Sequence, residues 1–316
     1  MSALSCAQTY NPVMPLPDRG HVETEHTNPA TDALDRVDVE TCLRLINGED
    51  ARVAAAVEAA IPAITAFVTR LVPRLRSGGR LIYIGAGTSG RLGVLDASEC
   101  PPTFQTDPGM VVGIIAGGDA ALRRSSEARE DDRNGALPEL DRLEVGAADA
   151  LLGIAAGGTT PYVLGALEIA SSRGALTGLL TCAASAPVPA GVDHPIIVAT
   201  GPEVLTGSTR MKAGTATKMV LNMISTAAMV QLGKVYGNLM VDLRATNDKL
   251  RDRGARIVAA VCGIERSAAL AQLEAARGSV RHAILMTQLG VNCAEAERRL
   301  EAAGGRLREA LEADSH

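Results

Sequence analysis

Five short apolar runs alternate with helical or loop segments through the middle of this 316-residue chain. Runs this apolar are typical of strands buried on both faces, and their alternation with helices indicates a parallel sheet covered on both sides. We therefore predict an α/β fold with a doubly wound, five-stranded parallel sheet, whose ligands bind beyond the carboxyl ends of the strands. The predicted strands are Arg80–Ile84, Met110–Ile115, Asp149–Ala155, Ala175–Leu180 and Pro195–Ala199.

The segments around this core predict three parts of the chain. Residues 1–20 are rich in proline and polar side chains and read as a mobile tail. Residues 21–247 hold the sheet together with N-terminal helices, and residues 248–316 form a small helical domain. The predicted helices are 33–46, 50–75, one through 221–229, and a bundle near 256–262, 267–276, 280–289 and 293–303.

Composition excludes several classes of function. The formal net charge of −5 gives no sign of nucleic-acid binding. No apolar run approaches the ~20 residues that a membrane span needs, and the N-terminus lacks the pattern of a signal peptide. The six cysteines have neither metal-ligand nor disulfide spacing. We therefore expect a cytoplasmic protein without a metal site and without a membrane partner.

A glycine-rich loop follows the first predicted strand and opens a helix. Glycines let the backbone approach a ligand closely, and free N–H groups at a helix N-terminus attract an anion. Gly85, Gly87 and Gly90 also satisfy a dinucleotide fingerprint, but the acidic residue it needs about 20 positions on comes late, at Asp119. The hydroxyls of Thr88 and Ser89 favour a sugar phosphate as the ligand.

A second polar cluster follows the fifth predicted strand, within residues 201–215. Thr206 and Ser208 are good N-cap candidates, again where a phosphate could lie. Arg210 and Lys212 carry compensating positive charge. Because the carboxyl ends of parallel strands meet at one edge of the sheet, this cluster is expected to converge with the loops after the other strands.

Two carboxylates stand out by position. Glu99 lies one short helix beyond the glycine-rich loop, and Glu130 belongs to the acidic run Glu127–Asp132. On sequence alone such a run is typical of a solvated helix face. A carboxylate close to a phosphate site nevertheless suggests acid or base catalysis on a phosphorylated molecule.

These segments together resemble the N-acetylmuramic acid 6-phosphate etherases, a sugar-isomerase (SIS) domain family related to the glucokinase regulatory proteins. The matching blocks cover nearly the whole chain beyond the tail, and two of them are long and far more specific than a glycine fingerprint. The resemblance implies a flavodoxin-like SIS fold. The blocks are Thr24–Thr31, Leu81–Pro102, Gly201–Lys218 and Lys234–Asn247.

The resemblance implies cleavage of the lactyl ether of N-acetylmuramic acid 6-phosphate, giving N-acetylglucosamine 6-phosphate and D-lactate in amino-sugar recycling, without a cofactor. By the family pattern Glu99 matches the proton donor to the leaving lactate, and Glu130 matches the second catalytic carboxylate, the base at C2. The pattern also implies a homodimer with its site near the subunit interface. The substrate-binding candidates are Gly87, Thr88, Ser89, Gly158, Thr159, Thr160, Glu203, Thr206, Ser208, Thr209 and Lys212.

The chain departs from the family pattern in one loop. After the third strand the family commonly has Ser-Gly-Arg-Thr, where this chain has Gly157–Thr160 with the sequence Gly-Gly-Thr-Thr. One hydroxyl and one cation of a phosphate loop are missing there, although Thr159 offers a hydroxyl. Affinity or substrate preference is expected to differ accordingly, while the two carboxylate positions are unchanged.

Two alternative functions stay open at this point. A non-catalytic sugar-phosphate sensor would match the related regulatory proteins, although those resemble two such domains in tandem and this chain has length for one. An aldose–ketose isomerase would share the fold and would use Glu203 as its candidate base. Retention of both Glu99 and Glu130 favours the etherase.

Overall fold

A computed structural model describes residues 18–124, 129–243 and 247–313 of the chain. Its strands are β1 Leu81–Gly85, β2 Val111–Ile115, β3 Ala150–Ile154, β4 Leu176–Thr181 and β5 His194–Ile197. They form one fully parallel sheet in the order β2-β1-β3-β4-β5. Each strand end differs from its predicted position by two residues at most. The prediction of an α/β fold with a five-stranded parallel sheet is confirmed.

The helices surround and follow this sheet. The helix predicted over 33–46 begins later, at Val39, because the Asp38 side chain accepts the Thr41 N–H at 2.7 Å and caps it. A 3₁₀ turn at Leu34–Arg36 precedes this cap. The bounds are α1 Val39–Asp50, α2 Val53–Arg76, α3 Gly87–Phe104, α4 Leu137–Arg142, α5 Pro161–Ser172, α6 Lys212–Gln231, α7 Asp248–Cys262, α8 Arg266–Ala275, α9 Val280–Leu289, α10 Cys293–Ala302 and α11 Leu307–Glu312.

The sheet is packed on both faces, as its apolar strands predict. Successive side chains of a strand point to opposite faces. Leu81 and Tyr83 of β1 therefore enter one core with α2, α3 and α6, while Ile82 and Ile84 enter a second core with α4 and α5. The helices thus cover both faces and leave the carboxyl ends of the strands to the connecting loops.

The C-terminal helices have a core of their own. Side chains of α7 to α11 pack around Val258, Ile284 and Leu300, and they include Val241 from the preceding segment. The buried Asp242 carboxylate pairs with Lys234 Nζ at 2.6 Å and with Arg281 at 2.8 Å. The Arg281 contact attaches the segment before α7 to α9, and the Lys234 contact lies within that segment. The helical bundle is as predicted, whereas the tail over 1–20 and the domain boundary at 247/248 stay predictions; residues 1–17 and 244–246 lie outside the described ranges.

Contrary to the expectation from the sequence, one helical stretch has the length and apolar character of a membrane span. Val39–Arg76 contains a window with a mean hydropathy of 1.6, of which 33% is buried. The buried side chains of α2, such as Val57, Phe67 and Leu71, pack into the core beside the sheet. Burial of this face is typical of the core helix of an α/β domain.

Candidate functional site

The N-terminus of α3 directly follows the carboxyl end of β1. β1 ends at Gly85, Ala86 is the N-cap residue, and no side chain caps the helix. The first N–H groups of a helix have no intrahelical partner, and the helix dipole adds partial positive charge at this end. This end of α3 is therefore suited to hold an anion such as a phosphate ester.

Two glycines make the approach to this end possible. Gly87 has a φ of 52°, in the left-handed region, and a Cβ there would lie 3.2 Å from Glu130 Oε1. A Cβ on Gly90 would lie 2.6 Å from the Gly85 carbonyl oxygen, closer than atoms can approach without a shift. The loop therefore turns tightly, and the Glu130 carboxylate lies against the first residue of α3.

A cavity of about 210 Å³, which we call the cradle, lies at this edge of the sheet. Thr88 and Ser89 after β1, Thr159 and Thr160 after β3, and Thr209 before α6 all line it, as sequence analysis expects of converging loops. Since α5 begins directly after Thr160, a second helix N-terminus borders the cavity. The lining residues are Arg19, Val22, Thr24, Glu25, Ala86, Gly87, Thr88, Ser89, Glu130, Ala156, Gly157, Thr159, Thr160 and Thr209.

The N-terminal segment supplies cradle residues that sequence reasoning missed. Arg19 is the one cation among the described residues of the lining. The Thr24 hydroxyl is fully buried and finds no hydrogen-bond partner within the described residues, so it is available to a bound ligand. Val22 packs on Ala183 and Ala186 and so brings the segment across the cavity. The family block beginning at Thr24 was the only sequence signal for this placement.

Several predicted binding residues lie outside the cradle. Thr206 lines a neighbouring cavity beside Asn28 and Thr31. Gly158 is buried, and a Cβ there would come within 2.4 Å of Ala186 Cβ. Ser208 is half-buried in the loop before α6, and its N–H donates to the Leu205 carbonyl. The structure therefore does not bring these residues into contact with the cradle.

Glu203 and Lys212 form a buried polar cluster instead of lining the cradle. The Glu203 carboxylate accepts the N–H groups of Lys212 and Ala213, both at 2.9 Å, and so holds the first turn of α6. Burial raises the pKa of Glu203, while these two N–H donors oppose the rise. The Lys212 ammonium, 2% exposed, donates to Glu49 Oε2 at 2.5 Å. Its charge is thus neutralised by α1, away from the cradle.

Glu99 lies in a different cavity, of about 330 Å³, between α3 and α6. It is exposed and follows Gly87 by twelve residues of continuous helix. At 1.5 Å per residue this places Glu99 about 18 Å along the helix axis from the cradle. Within one chain, therefore, Glu99 and Glu130 do not border the same cavity.

The thiols and carboxylates suggest neither a nucleophilic cysteine nor a metal centre. Burial raises the pKa of Cys100 and of Cys182 to about 12, so both thiols stay protonated at neutral pH. In the part of the chain that the structure describes, no group of three His, Cys, Asp or Glu side chains could hold a metal ion. The chemistry of the candidate site rests on its carboxylates, hydroxyls and helix N-termini.

Curated relatives match almost the full length of this chain. A protein of Gloeobacter violaceus is 54% identical over 297 residues, which cover 94% of this chain and 97% of that protein. A Streptomyces avermitilis protein is 51% identical over 290 residues, covering 92% and 93%, and one from Cutibacterium acnes is 50% identical over 289 residues, covering 92% and 95%. All three are named N-acetylmuramic acid 6-phosphate etherase. This chain belongs to the N-acetylmuramic acid 6-phosphate etherase family.

The chain is also similar to one domain model and to solved structures of low sequence identity. Residues 63–171 match the glucokinase regulatory protein N-terminal SIS domain. A phosphoheptose isomerase from Francisella tularensis is similar at 15% identity and a TM-score of 0.45, covering 62% of this chain and all of its own. One from Neisseria gonorrhoeae is similar at 14% identity and a TM-score of 0.45, covering 60% and 98%.

The loop Gly157–Thr160, which is expected from the sequence to differ from the etherase pattern, contributes to the wall of the cradle. Gly157 and Thr159 both line the cavity, and a Cβ on Gly157 would lie 3.3 Å from Val22 Cγ1. The absence of a side chain at 157 therefore fits the close packing of the N-terminal segment. That segment also brings Arg19 to the cavity, so a cation is present although residue 159 is threonine.

Proposed function

We propose that this chain cleaves the D-lactyl ether of N-acetylmuramic acid 6-phosphate and releases N-acetylglucosamine 6-phosphate and D-lactate. The observation that carries the proposal is the position of Glu130. Its carboxylate lies against Gly87 at the uncapped N-terminus of α3, in a cavity lined by five threonine and serine hydroxyls after strand ends. A catalytic carboxylate beside an anion site is what acid–base chemistry on a sugar phosphate requires.

The cradle supports binding of the 6-phosphate. The N–H groups that open α3 would donate to phosphate oxygens, together with the hydroxyls of Thr88 and Ser89. Arg19 would supply one full positive charge. Anchoring the phosphate end holds the open-chain sugar in a fixed position, which lowers the entropic part of the barrier at C2 and C3.

The proposed reaction is an elimination followed by addition of water. In the open-chain sugar the C2 proton is α to an aldehyde and hence acidic, and Glu130 removes it. The C3–O bond then breaks, and the lactate oxygen takes a proton from Glu99. Water adds to the unsaturated aldehyde, its hydroxyl to C3 and a proton to C2, so that all atoms balance. Each acid or base typically contributes ~10²–10⁴-fold in rate.

We further propose that two copies of the chain complete each site. Glu99 lies about 18 Å along α3 from the cradle and lines another cavity, so a single chain does not bring both carboxylates to one sugar. Exposed apolar side chains on α1 and α3, namely Val39, Leu43 and Leu95, support a subunit interface on these helices. In this homodimer Glu99 of one copy would reach the substrate in the cradle of the other.

A direct assay tests the proposed activity. Purified protein incubated with N-acetylmuramic acid 6-phosphate is expected to release D-lactate and N-acetylglucosamine 6-phosphate in equal amounts, as measured by a lactate dehydrogenase assay and by NMR. Tight binding of the sugar phosphate without lactate would favour the sensor. Interconversion of aldose and ketose phosphates would favour the isomerase. Glu203, the candidate base of an isomerase, is fully buried, which argues against that alternative.

We place this reaction in the cytoplasm. The cysteines within the described ranges, Cys42, Cys100, Cys182, Cys262 and Cys293, are all free thiols. Free thiols are typical of proteins that work in a reducing compartment. The proposed mechanism uses no cofactor, because the aldehyde of the open-chain sugar itself acidifies the C2 proton.

A further inference from the structure

The cavity that holds Glu99 has the composition of a site for a small anion with an apolar part. We call it the α3–α6 cavity; its volume is about 330 Å³. Its apolar wall is formed by Leu95 and Phe104. Its polar groups on α6 are those of Asn222, Ser225 and Thr226. Lys218 is the one cation among the described residues of this lining.

The Lys218 ammonium is held by an ion pair with Asp96, which is itself held by a hydrogen bond from Tyr83. Its Nζ lies 3.3 Å from Asp96 Oδ1, and the Tyr83 hydroxyl donates to Asp96 Oδ2 at 3.0 Å. Asp96 is 3% exposed and Tyr83 is fully buried, so their hydrogen bond is shielded from solvent. The Lys218 side chain itself is 32% exposed. The ammonium has three N–H donors, and within the described ranges it contacts one acceptor, Asp96. The other donors can therefore bind a ligand.

The charges of Lys218 and Glu99 both affect the same buried thiol, that of Cys100. The pKa of the buried Cys100 thiol is raised to about 12, chiefly by burial and in part by the charges of Asp96 and Glu99, while the charge of Lys218 opposes the rise. Asp96, Glu99 and Lys218 all line the cavity together with Cys100. A carboxylate entering beside Glu99 would need a positive partner, because an unpaired carboxylate loses hydration without compensation.

We propose that Lys218 binds the carboxylate of the lactyl group and so selects the lactyl ether over the same sugar phosphate without it. This inference rests on the proposed function, in which Glu99 protonates the ether oxygen. One carbon separates that oxygen from the carboxylate carbon, so a carboxyl acting on the oxygen and a cation acting on the carboxylate must border the same space. The structure places Glu99 and Lys218 in that relation, on facing helices of one chain.

The apolar wall completes the recognition. The lactyl group carries a methyl on the carbon between its oxygen and its carboxylate, and Leu95 and Phe104 offer apolar surface to a methyl group. N-acetylglucosamine 6-phosphate has a hydroxyl at C3 and places no anion in this cavity. Lys218 thus contributes to binding of the substrate and hardly to binding of this product.

The test compares two ligands in Lys218→Met. The variant is expected to raise KM for N-acetylmuramic acid 6-phosphate about 10- to 100-fold, the effect of losing one hydrogen bond to a charged group. kcat should change far less, because the carboxylate is equally charged in the ground and transition states. The Kd for N-acetylglucosamine 6-phosphate, measured by calorimetry, should stay within about twofold. Lys218→Arg should recover most of the lost affinity.

Arg80→Met is the matched control. Arg80 is 27% exposed and pairs with the buried Asp149 at 2.8 Å, as Lys218 pairs with Asp96, but it precedes β1 at the opposite edge of the sheet. It should lower thermal stability without changing the ratio of the two ligand affinities. If Lys218→Met weakens both ligands equally, or neither, or lowers kcat alone, the proposal is wrong.

Failure of the Lys218 inference can be distinguished from failure of the proposed etherase activity. Binding of N-acetylmuramic acid 6-phosphate is also measured in Glu99→Gln, with and without Lys218→Met, where no turnover is required. A wild type that releases no lactate would end the etherase proposal, and these affinities would still be readable. If the lactyl sugar binds equally well with and without Lys218 in that background, the carboxylate is recognised elsewhere and the inference fails.

Discussion

Glu99→Gln is expected to abolish the release of D-lactate from N-acetylmuramic acid 6-phosphate. The amide keeps the shape of the side chain but cannot deliver a proton to the departing oxygen. Loss of a general acid lowers the rate by ~10²–10⁴-fold, and alkoxide-like departure from C3 without it is slow. Exchange of the C2 proton of N-acetylglucosamine 6-phosphate in D₂O should survive, because Glu130 remains. Lactate is measured enzymatically and exchange by ¹H NMR.

Two further variants make this result specific. Glu130→Gln should lose both C2 exchange and lactate release, since the elimination begins with removal of that proton. Glu301→Gln changes an exposed glutamate on α10 that lines neither cavity, and it should behave as the wild type. If Glu99→Gln loses exchange and Glu130→Gln retains it, the two roles are reversed.

Lys212→Met is expected to destabilise the fold strongly. Lys212 and Glu49 are 2% and 5% exposed at their side chains, and their ion pair joins α6 to α1. Burial alone would raise the pKa of Glu49, but the hydrogen bond and charge of Lys212, with Asn28 and Arg52, hold it below its ordinary value. Removing the lysine leaves a buried carboxylate without its main partner, which costs about 3–5 kcal/mol. Urea unfolding measures the loss.

The stability difference between the wild type and Lys212→Met is expected to decrease as the pH falls. In the wild type the lowered pKa of Glu49 contributes stability above the ordinary pKa of the carboxyl, and that contribution is lost as the pH falls through the folded value. In Lys212→Met burial raises the pKa of Glu49, so protonation relieves the variant and the difference between the two proteins narrows in acid. The double variant Lys212→Met/Glu49→Gln should lose less than the single one. A single-variant loss below about 1 kcal/mol would show that the pair contributes little.

The sheet could be predicted from the sequence because it depends on local pattern. Each buried strand is a short apolar run, and a strand buried on both faces admits no polar alternation. The glycine-rich loop was predictable for the same reason, since a tight turn between Gly85 and Gly90 requires residues without a side chain. The start of α1 was missed because the polar residues up to Asp32 were interpreted as the helix cap, whereas the side chain that caps α1 is that of Asp38.

The assembly of the site could be predicted only in part. Thr88, Ser89, Thr159, Thr160 and Thr209 converge because parallel strands end at one edge. Whether a polar side chain near that edge faces the ligand or the core depends on packing between distant segments. Lys212 forms an ion pair with Glu49, which lies 163 positions away in the sequence. Arg19 reaches the cradle because Val22 packs on Ala183 and Ala186. No periodicity or spacing in the sequence encodes these contacts.

The central claim is one elimination site whose two carboxylates come from two copies of the chain. Glu99→Gln and Glu130→Gln should each be inactive when pure. The two variants are mixed in equal amounts under conditions that exchange subunits, and native mass spectrometry measures the share of mixed dimers. Random exchange makes half of the dimers mixed, and each mixed dimer holds one intact site, so lactate release should return to about one quarter of the wild-type rate. A mixture that contains mixed dimers and stays inactive would contradict the claim.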